Sequence, residues 1–269
     1  MKNLILTGCT RGLGLEILKS LIIKKYNLIL ISKNKKKLLR LKKIYAGKKN
    51  VKVFIYSVDF SSLEKLRKTL NKIKVKFKRI DIIINNAGVW GPIGKFESSS
   101  WKKWISAINI NLFASIYLVK FFLSSMKKNN FGRIVQLSGG GATAPMPYFS
   151  AYAVSKTGIV RFVETISKEC EKFNITINAV APGAMNTQML STALRSGKKI
   201  LGPHYKKLIK QKKEGGVGFD KAIELIHFLI DNNKFSGKLI SAIWDKWNTK
   251  PFFYKALSKK NYFTLRRKI

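Results

Sequence analysis

Short apolar runs alternate along this chain with stretches whose apolar residues recur every three to four positions. Residues 3–6, 28–31, 51–56 and 80–84 read as strands. Between them Leu13, Ile17, Leu18, Leu21 and Ile22, then Leu38, Leu41 and Tyr45, then Leu63, Leu66, Leu70 and Ile73 keep helical spacing. The rhythm continues with a predicted helix over 101–126, a strand over 133–137 and a helix over 151–173. That helix carries Ile159, Phe162, Val163, Ile166 and Cys170 on one face. A strand over 175–180, a helix over 219–230 and a strand over 238–243 follow. Continuous apolar strands between amphipathic helices are parallel strands covered on both faces. The pattern therefore predicts one Rossmann-like, doubly wound α/β domain over residues 1–244, with a seven-stranded, mainly parallel sheet and right-handed crossovers. Residues 185–217 interrupt the rhythm, and residues 245–269 read as a basic C-terminal extension.

Composition narrows the class. Of 269 residues, 46% are hydrophobic and 25% charged, which is globular and excludes a disordered chain. The 53 Lys and Arg against 13 Asp and Glu give a formal charge of +40, which attracts polyanions in dilute salt. The basic stretches run over 33–49, 65–79, 198–213 and 250–268, the first two along the outer faces of predicted helices. No nucleic-acid-reading motif accompanies them, so no specific nucleic acid partner is expected. No stretch reaches the roughly 18 uninterrupted apolar residues of a membrane span, and no membrane partner is expected. Two cysteines, Cys9 and Cys170, fit a reducing, cytoplasmic setting. His204 and His227 have no second ligand at metal spacing, so no metal is expected.

The chemistry concentrates in a few places. The first strand runs into Thr7-Gly8-Cys9-Thr10-Arg11-Gly12-Leu13-Gly14 and then a helix. Such a turn gives a sharp bend, a bare backbone for a diphosphate, and a helix N-terminus with free N–H groups. Asn85-Asn86-Ala87-Gly88 follows the fourth strand, and Asn111 lies in the next helix. Tyr152-Ala153-Val154-Ser155-Lys156 opens the helix after the fifth strand, and Pro182-Gly183 follows the sixth, with Thr187 just beyond. Lys156, four residues after Tyr152, shares its helical face. A cation beside a phenol favours the phenolate, so Lys156 is expected to lower a tyrosine pKa whose reference value is near 10.

In this order and spacing, the motifs resemble those of the short-chain dehydrogenase/reductase family over residues 3–244. The resemblance implies that Gly8, Arg11, Gly12, Leu13 and Gly14 line the diphosphate of a nicotinamide dinucleotide. It implies that Asp59 meets the adenine, that Asn86, Ala87 and Gly88 support the adenosine ribose, and that Pro182, Gly183 and Thr187 border the nicotinamide. Tyr152, Lys156, Asn111 and a serine would form the catalytic group, with Lys156 also holding the nicotinamide ribose. The family serine lies about thirteen residues before the tyrosine. Ser138 lies fourteen before Tyr152, and the thirteenth position is Gly139. Either the glycines at 139–141 bring Ser138 into place, or Ser138 only caps its strand.

The second strand ends Ile31-Ser32-Lys33-Asn34, without the acid that NAD-preferring members carry there. Arg11 and Lys33 could reach a 2′-phosphate, which predicts NADP(H), with NAD(H) as the alternative. By the same resemblance, residues 89–92 and 145–149 border an apolar substrate pocket, and residues 189–194 form a lid. A homodimer or homotetramer paired through the helices at 101–126 and 151–173 is expected. The reading is an oxidoreductase acting on a small carbonyl or alcohol. The alternative is a catalytically silent dinucleotide-binding scaffold or a redox-sensing interaction protein.

Overall fold

In a computed structural model, residues 1–45, 47–48, 51–258 and 262–266 are described. Seven strands, β1 (Lys2–Thr7), β2 (Tyr26–Ser32), β3 (Val51–Ser57), β4 (Ile82–Asn85), β5 (Gly132–Leu137), β6 (Ile175–Ala181) and β7 (Leu239–Ser241), form one parallel sheet in the order β3-β2-β1-β4-β5-β6-β7. Alternate residues point to opposite faces of a strand. Leu4, Leu6, Leu28, Leu30, Ile82 and Ile84 therefore enter one core layer, while Ile5, Ile29, Ile31 and Ile83 enter the other. Burial on both faces is why these strands read as unbroken apolar runs.

The first layer is covered by α1 (Gly12–Leu21), α2 (Lys35–Tyr45) and α10 (Asp220–Asp231). The second is covered by α3 (Leu63–Lys76), α5 (Ala114–Lys128) and α6 (Ser150–Glu169). The helix expected over 101–126 is continuous from α4 (Trp101–Ile108) through a π-helical turn (Asn109–Phe113) into α5. By length and composition Trp101–Lys128 is apolar enough to cross a membrane. In this fold Leu118, Val119, Phe122 and Met126 of its inner face are packed into the core.

The interrupting segment folds as α7 (Gln188–Leu194), α8 (Gly197–Leu201) and α9 (His204–Lys213). Ala193 and Leu201 close on Phe149, with Trp90, Tyr148 and Tyr152 packed around them. Residues from 245 onward, set apart in the sequence as an extension, contribute to the core. Trp247, and Phe252 and Ala256 of α11 (Lys250–Ser258), join Phe228 and Phe235. The Leu239 N–H at the edge of β7 donates to the Phe263 carbonyl at 2.8 Å, so the tail also covers the sheet edge. Residues 259–261 and 267–269 of that basic tail, and Lys49 and Asn50 before β3, lie outside the described residues. The strand order reverses between β1 and β4, and the crevice beyond the carboxyl ends of those strands is where a doubly wound sheet binds its ligand.

Candidate active site

The turn after β1 is built for close approach. Gly8 and Gly12 have φ of +67° and +51°, in the left-handed region. A Cβ on Gly8 would stand 2.8 Å from Ala87 Cα, and one on Gly14 would overlap the Gly8 carbonyl. The turn is stitched to the loop after β4. Thr7 Oγ1 accepts from the N–H groups of Asn86 and Ala87 at 3.0 Å each, and Asn86 Nδ2 donates to the carbonyls of Thr7 and Gly8 at 3.1 Å each. Arg11 occupies the N-cap of α1 without a side-chain cap bond, and the first turn holds no acid, so its N–H groups remain for an anion. Thr187 faces the turn, its methyl 3.6 Å from where a Gly12 Cβ would be. This turn, which packs too closely on the β4 loop for side chains at 8 and 14 and leaves the α1 N–H groups free, fits a dinucleotide diphosphate.

The adenine end departs from expectation. Lys33 Nζ lies 2.6 Å from Asp59 Oδ2, so the expected 2′-phosphate ligand and the expected adenine partner are paired with each other. The parallel register Ser32↔Ser57 brings their loops together. Burial pushes the Asp59 carboxyl up, but the bonds from Lys33 and from the N–H and hydroxyl of Ser61 outweigh it and hold the carboxyl below its usual range. Ser32, buried at the end of β2, is 3.2 Å from Thr10 Oγ1. Arg11 points elsewhere, donating from Nη1 to Gln188 Oε1 on α7 at 2.6 Å.

Asn111 sits in the π-helical turn, a widening that frequently marks functional sites. It is held on three sides. Its Nδ2 donates to the Val89 carbonyl at 2.8 Å and to Ser155 Oγ at 3.0 Å, while its Oδ1 accepts from Val89 N–H at 2.8 Å. A Cβ on Gly88 would lie 3.5 Å from Asn111 Oδ1 and 3.7 Å from Lys156 Nζ, which shows how closely the β4 loop meets this group. Gly183 has φ of +96°, and a Cβ there would press on Ile243 and Val217.

Tyr152 and Lys156 share the expected face, but their electrostatics reverse the expectation. Burial pushes the Tyr152 phenol up to about 12 and the Lys156 ammonium down to about 8. Lys156 Nζ donates to the Leu137 carbonyl at 2.6 Å and lies over the Tyr152 ring, 5.5 Å from its centre. Both charged forms therefore suffer desolvation without relieving each other. Ser138 is turned away as well. Its hydroxyl donates to the Lys156 carbonyl at 3.2 Å, tying the end of β5 to α6, while Gly139 stands against the Tyr152 hydroxyl. The Ser138 O–H is thus spent on α6, and the residue that meets the phenol is Gly139.

A cavity of about 560 Å³ opens beside this group, lined by Arg11, Gly88, Trp90, Ile110, Gln188 and Met189 among others. Trp90 packs on Tyr152 at 4.5 Å and on Phe149 at 4.9 Å, and its indole N–H donates to the Met189 carbonyl at 2.7 Å. Gln188 and Met189 thus strap α7 to the rest of the site. The sequence carried no signal for Gln188 or for Ser155, which bridges Asn111 to the Tyr152 carbonyl. Cys9 is fully buried, and burial raises its thiol to about 12, so no reactive thiolate stands in the turn.

The family model described as short chain dehydrogenase matches residues 2–197. The chain is 32% identical over 188 residues to a 3-oxoacyl-acyl-carrier-protein reductase of Haemophilus influenzae, covering 70% of this chain and 76% of that one. It is 29% identical over 205 residues to an uncharacterized oxidoreductase of Schizosaccharomyces pombe, covering 73% and 65%. The solved structure of YwfH, an NADPH-dependent reductase involved in bacilysin biosynthesis, superposes with a TM-score of 0.79. It is 22% identical and covers 93% of this chain and 98% of that one. The chain belongs to the short-chain dehydrogenase family and is an NAD(P)(H)-dependent oxidoreductase.

Proposed function

We propose that this protein is an NADP(H)-preferring reductase of a small, partly apolar carbonyl compound, working through Tyr152, Lys156 and Asn111. The observation that carries the cofactor preference is the end of β2. Ser32 stands where an acid would repel a 2′-phosphate, with the Thr10 hydroxyl beside it and Lys33 next in the chain. Lys33 would exchange Asp59 for the phosphate, leaving Asp59 to the adenine. Gly8, Arg11, Gly12, Leu13 and Gly14 would hold the diphosphate, Asn86 to Gly88 the adenosine ribose, and Pro182, Gly183 and Thr187 the nicotinamide end.

A bound nicotinamide supplies or accepts a hydride at the substrate carbon. Tyr152 Oη gives its proton to the carbonyl oxygen, or takes it from the alcohol. Burial keeps this phenol protonated but makes it a weaker acid, so proton donation would draw on a neighbouring cation to stabilise the phenolate. Lys156 would hold the nicotinamide ribose and, as an ammonium, stabilise the phenolate left behind. Asn111, fixed by Val89 and Ser155, keeps the segment beside Lys156 in place. Trp90, Phe149 and α7 exclude water. Trp101, Phe113 and Val154 are 61%, 47% and 50% exposed, which favours a homo-oligomer paired through α4 to α6. The two buried, free cysteines suit a cytoplasmic setting.

Fluorescence titration with NADPH and NADH tests this reading. A charge-assisted phosphate contact contributes about 1.5–3 kcal/mol, so NADPH should bind at least about tenfold tighter. Equal dissociation constants would reject the preference. The silent-scaffold alternative draws on Gly139 and on the commitment of Ser138, and predicts tight cofactor binding without turnover on any carbonyl.

A further inference from the structure

The tyrosine hydroxyl and Gly139 occupy adjoining space with no room for a side chain between them. Gly139 has φ of 177°, an extended backbone open to any residue, so the chain path does not demand glycine here. The phenol does, because a Cβ on Gly139 would overlap Tyr152 Oη. The next glycine differs, since a Cβ on Gly140 would meet nothing within 4 Å. The nearby hydroxyls are turned elsewhere. Ser138 donates to the Lys156 carbonyl, Ser155 to the Tyr152 carbonyl and Thr157 to the Ala153 carbonyl, while the Ser150 oxygen is turned to the Trp104 indole on α4 with its O–H donor not committed by that bond. The indole N–H of Trp90, which packs on Tyr152, is spent on Met189.

We infer that Gly139 is a positioning and specificity-determining residue. It lets the Tyr152 hydroxyl rest against the end of β5, leaves the substrate oxygen without a second hydroxyl donor from β5 or α6, and so favours carbonyl compounds bearing a hydroxyl on the adjacent carbon. This rests on the reductase reading above. A carbonyl oxygen accepts two hydrogen bonds, and the second counts for more as negative charge builds on the oxygen during reduction. A phenol alone leaves one lone pair unmatched in a desolvated pocket. A hydroxyl on the neighbouring carbon supplies that bond from within the substrate, and the cavity on the far side of Trp90, which packs on Tyr152, offers Trp90, Ile110 and Met189, with Lys102 and Lys103 also in its wall, to the remainder of the molecule.

Three ketones test this with the full chain and NADPH: 2-hydroxyacetophenone, 2-methoxyacetophenone and acetophenone. The methoxy compound keeps the electron withdrawal of the α-oxygen but cannot donate. In the wild type, kcat/KM for the hydroxy ketone should exceed that for the methoxy ketone by at least about tenfold, the loss expected from one unmatched polar group in a buried site. Gly139→Ser, which restores a donor and displaces the phenol's outer end, should compress that ratio to about threefold or less, whereas Gly140→Ser should leave it unchanged. NADPH affinity, which a merely structural defect would lower, should be the same in all three proteins. If Gly139→Ser fails to fold, the wild-type ratio decides alone. A wild-type ratio near one, a ratio unmoved by Gly139→Ser, or no turnover of any of the three ketones overturns the inference. Tyr152→Phe in the same assay separates the two claims. Turnover lost in that variant with a flat wild-type ratio refutes the role of Gly139 and leaves the reductase reading standing, while turnover retained refutes both.

Discussion

Replacing Lys156 with methionine should make the protein relatively more stable near neutral pH than in alkali. Methionine keeps an apolar stem of similar length but removes an ammonium that burial holds down at about 8, against an ordinary value of 10.5. Where the folded pKa lies below the unfolded one, the unfolded chain binds more protons between the two values, so wild-type stability rises with pH across that window. Below pH 8 the full cost of the buried charge is present. By about pH 9.5 most of it has been relieved, which for this shift amounts to about 2 kcal/mol relative to pH 7. The methionine variant has no such term, and the other titrating groups are common to both proteins. Urea denaturation of both at about pH 7 and pH 9.5 should therefore show the stability difference moving by about 2 kcal/mol in favour of the wild type on going to alkali. A difference that does not change with pH would mean that Lys156 titrates normally, and would remove the electrostatic account of the site.

Two further outcomes are expected. Phe235, 1% exposed, packs its ring 5.0 Å from Phe253 and 5.6 Å from Phe252, so Phe235→Ala should cost about 3–5 kcal/mol in urea denaturation. A loss below about 1 kcal/mol would show that the tail does not contribute to the core as the structure has it. Light scattering at micromolar concentration should find a dimer or tetramer, and a species of 30.6 kDa alone would contradict pairing through α4 to α6.

Much of the fold was legible because β1, β2, β4 and β6 are buried on both faces and so are mostly apolar. The π-helical turn at Asn109–Phe113 was not legible, because it shifts a helix by one residue without any glycine or proline to mark it. The tail was set apart by its charge, yet its lysines alternate with Phe252, Phe253 and Phe263, which close over Phe235 and the edge of β7. Within the site, spacing put Gly139 at the thirteenth position before Tyr152 but left Ser138 as the candidate serine, and it is Gly139 that stands against the phenol. The direction of the Ser138 hydroxyl depends on the Lys156 carbonyl, a backbone group with no trace in side-chain spacing. The Lys33–Asp59 pair lies 26 positions apart and becomes visible only once β2 and β3 are known to run parallel in register. The opposed shifts of Tyr152 and Lys156 arise from burial, which helical spacing does not report.

The central claim is that Tyr152 supplies the proton in an NADPH-dependent carbonyl reduction. Its most direct test is steady-state turnover of one accepted ketone by Tyr152→Phe, with NADPH affinity measured on the same preparation. Removing a general acid should lower kcat by roughly 10²–10⁴ while the dissociation constant of NADPH stays within about twofold, because the ring still packs on Trp90 and Lys156 keeps its bond to Leu137. Undiminished turnover in that variant would contradict the account.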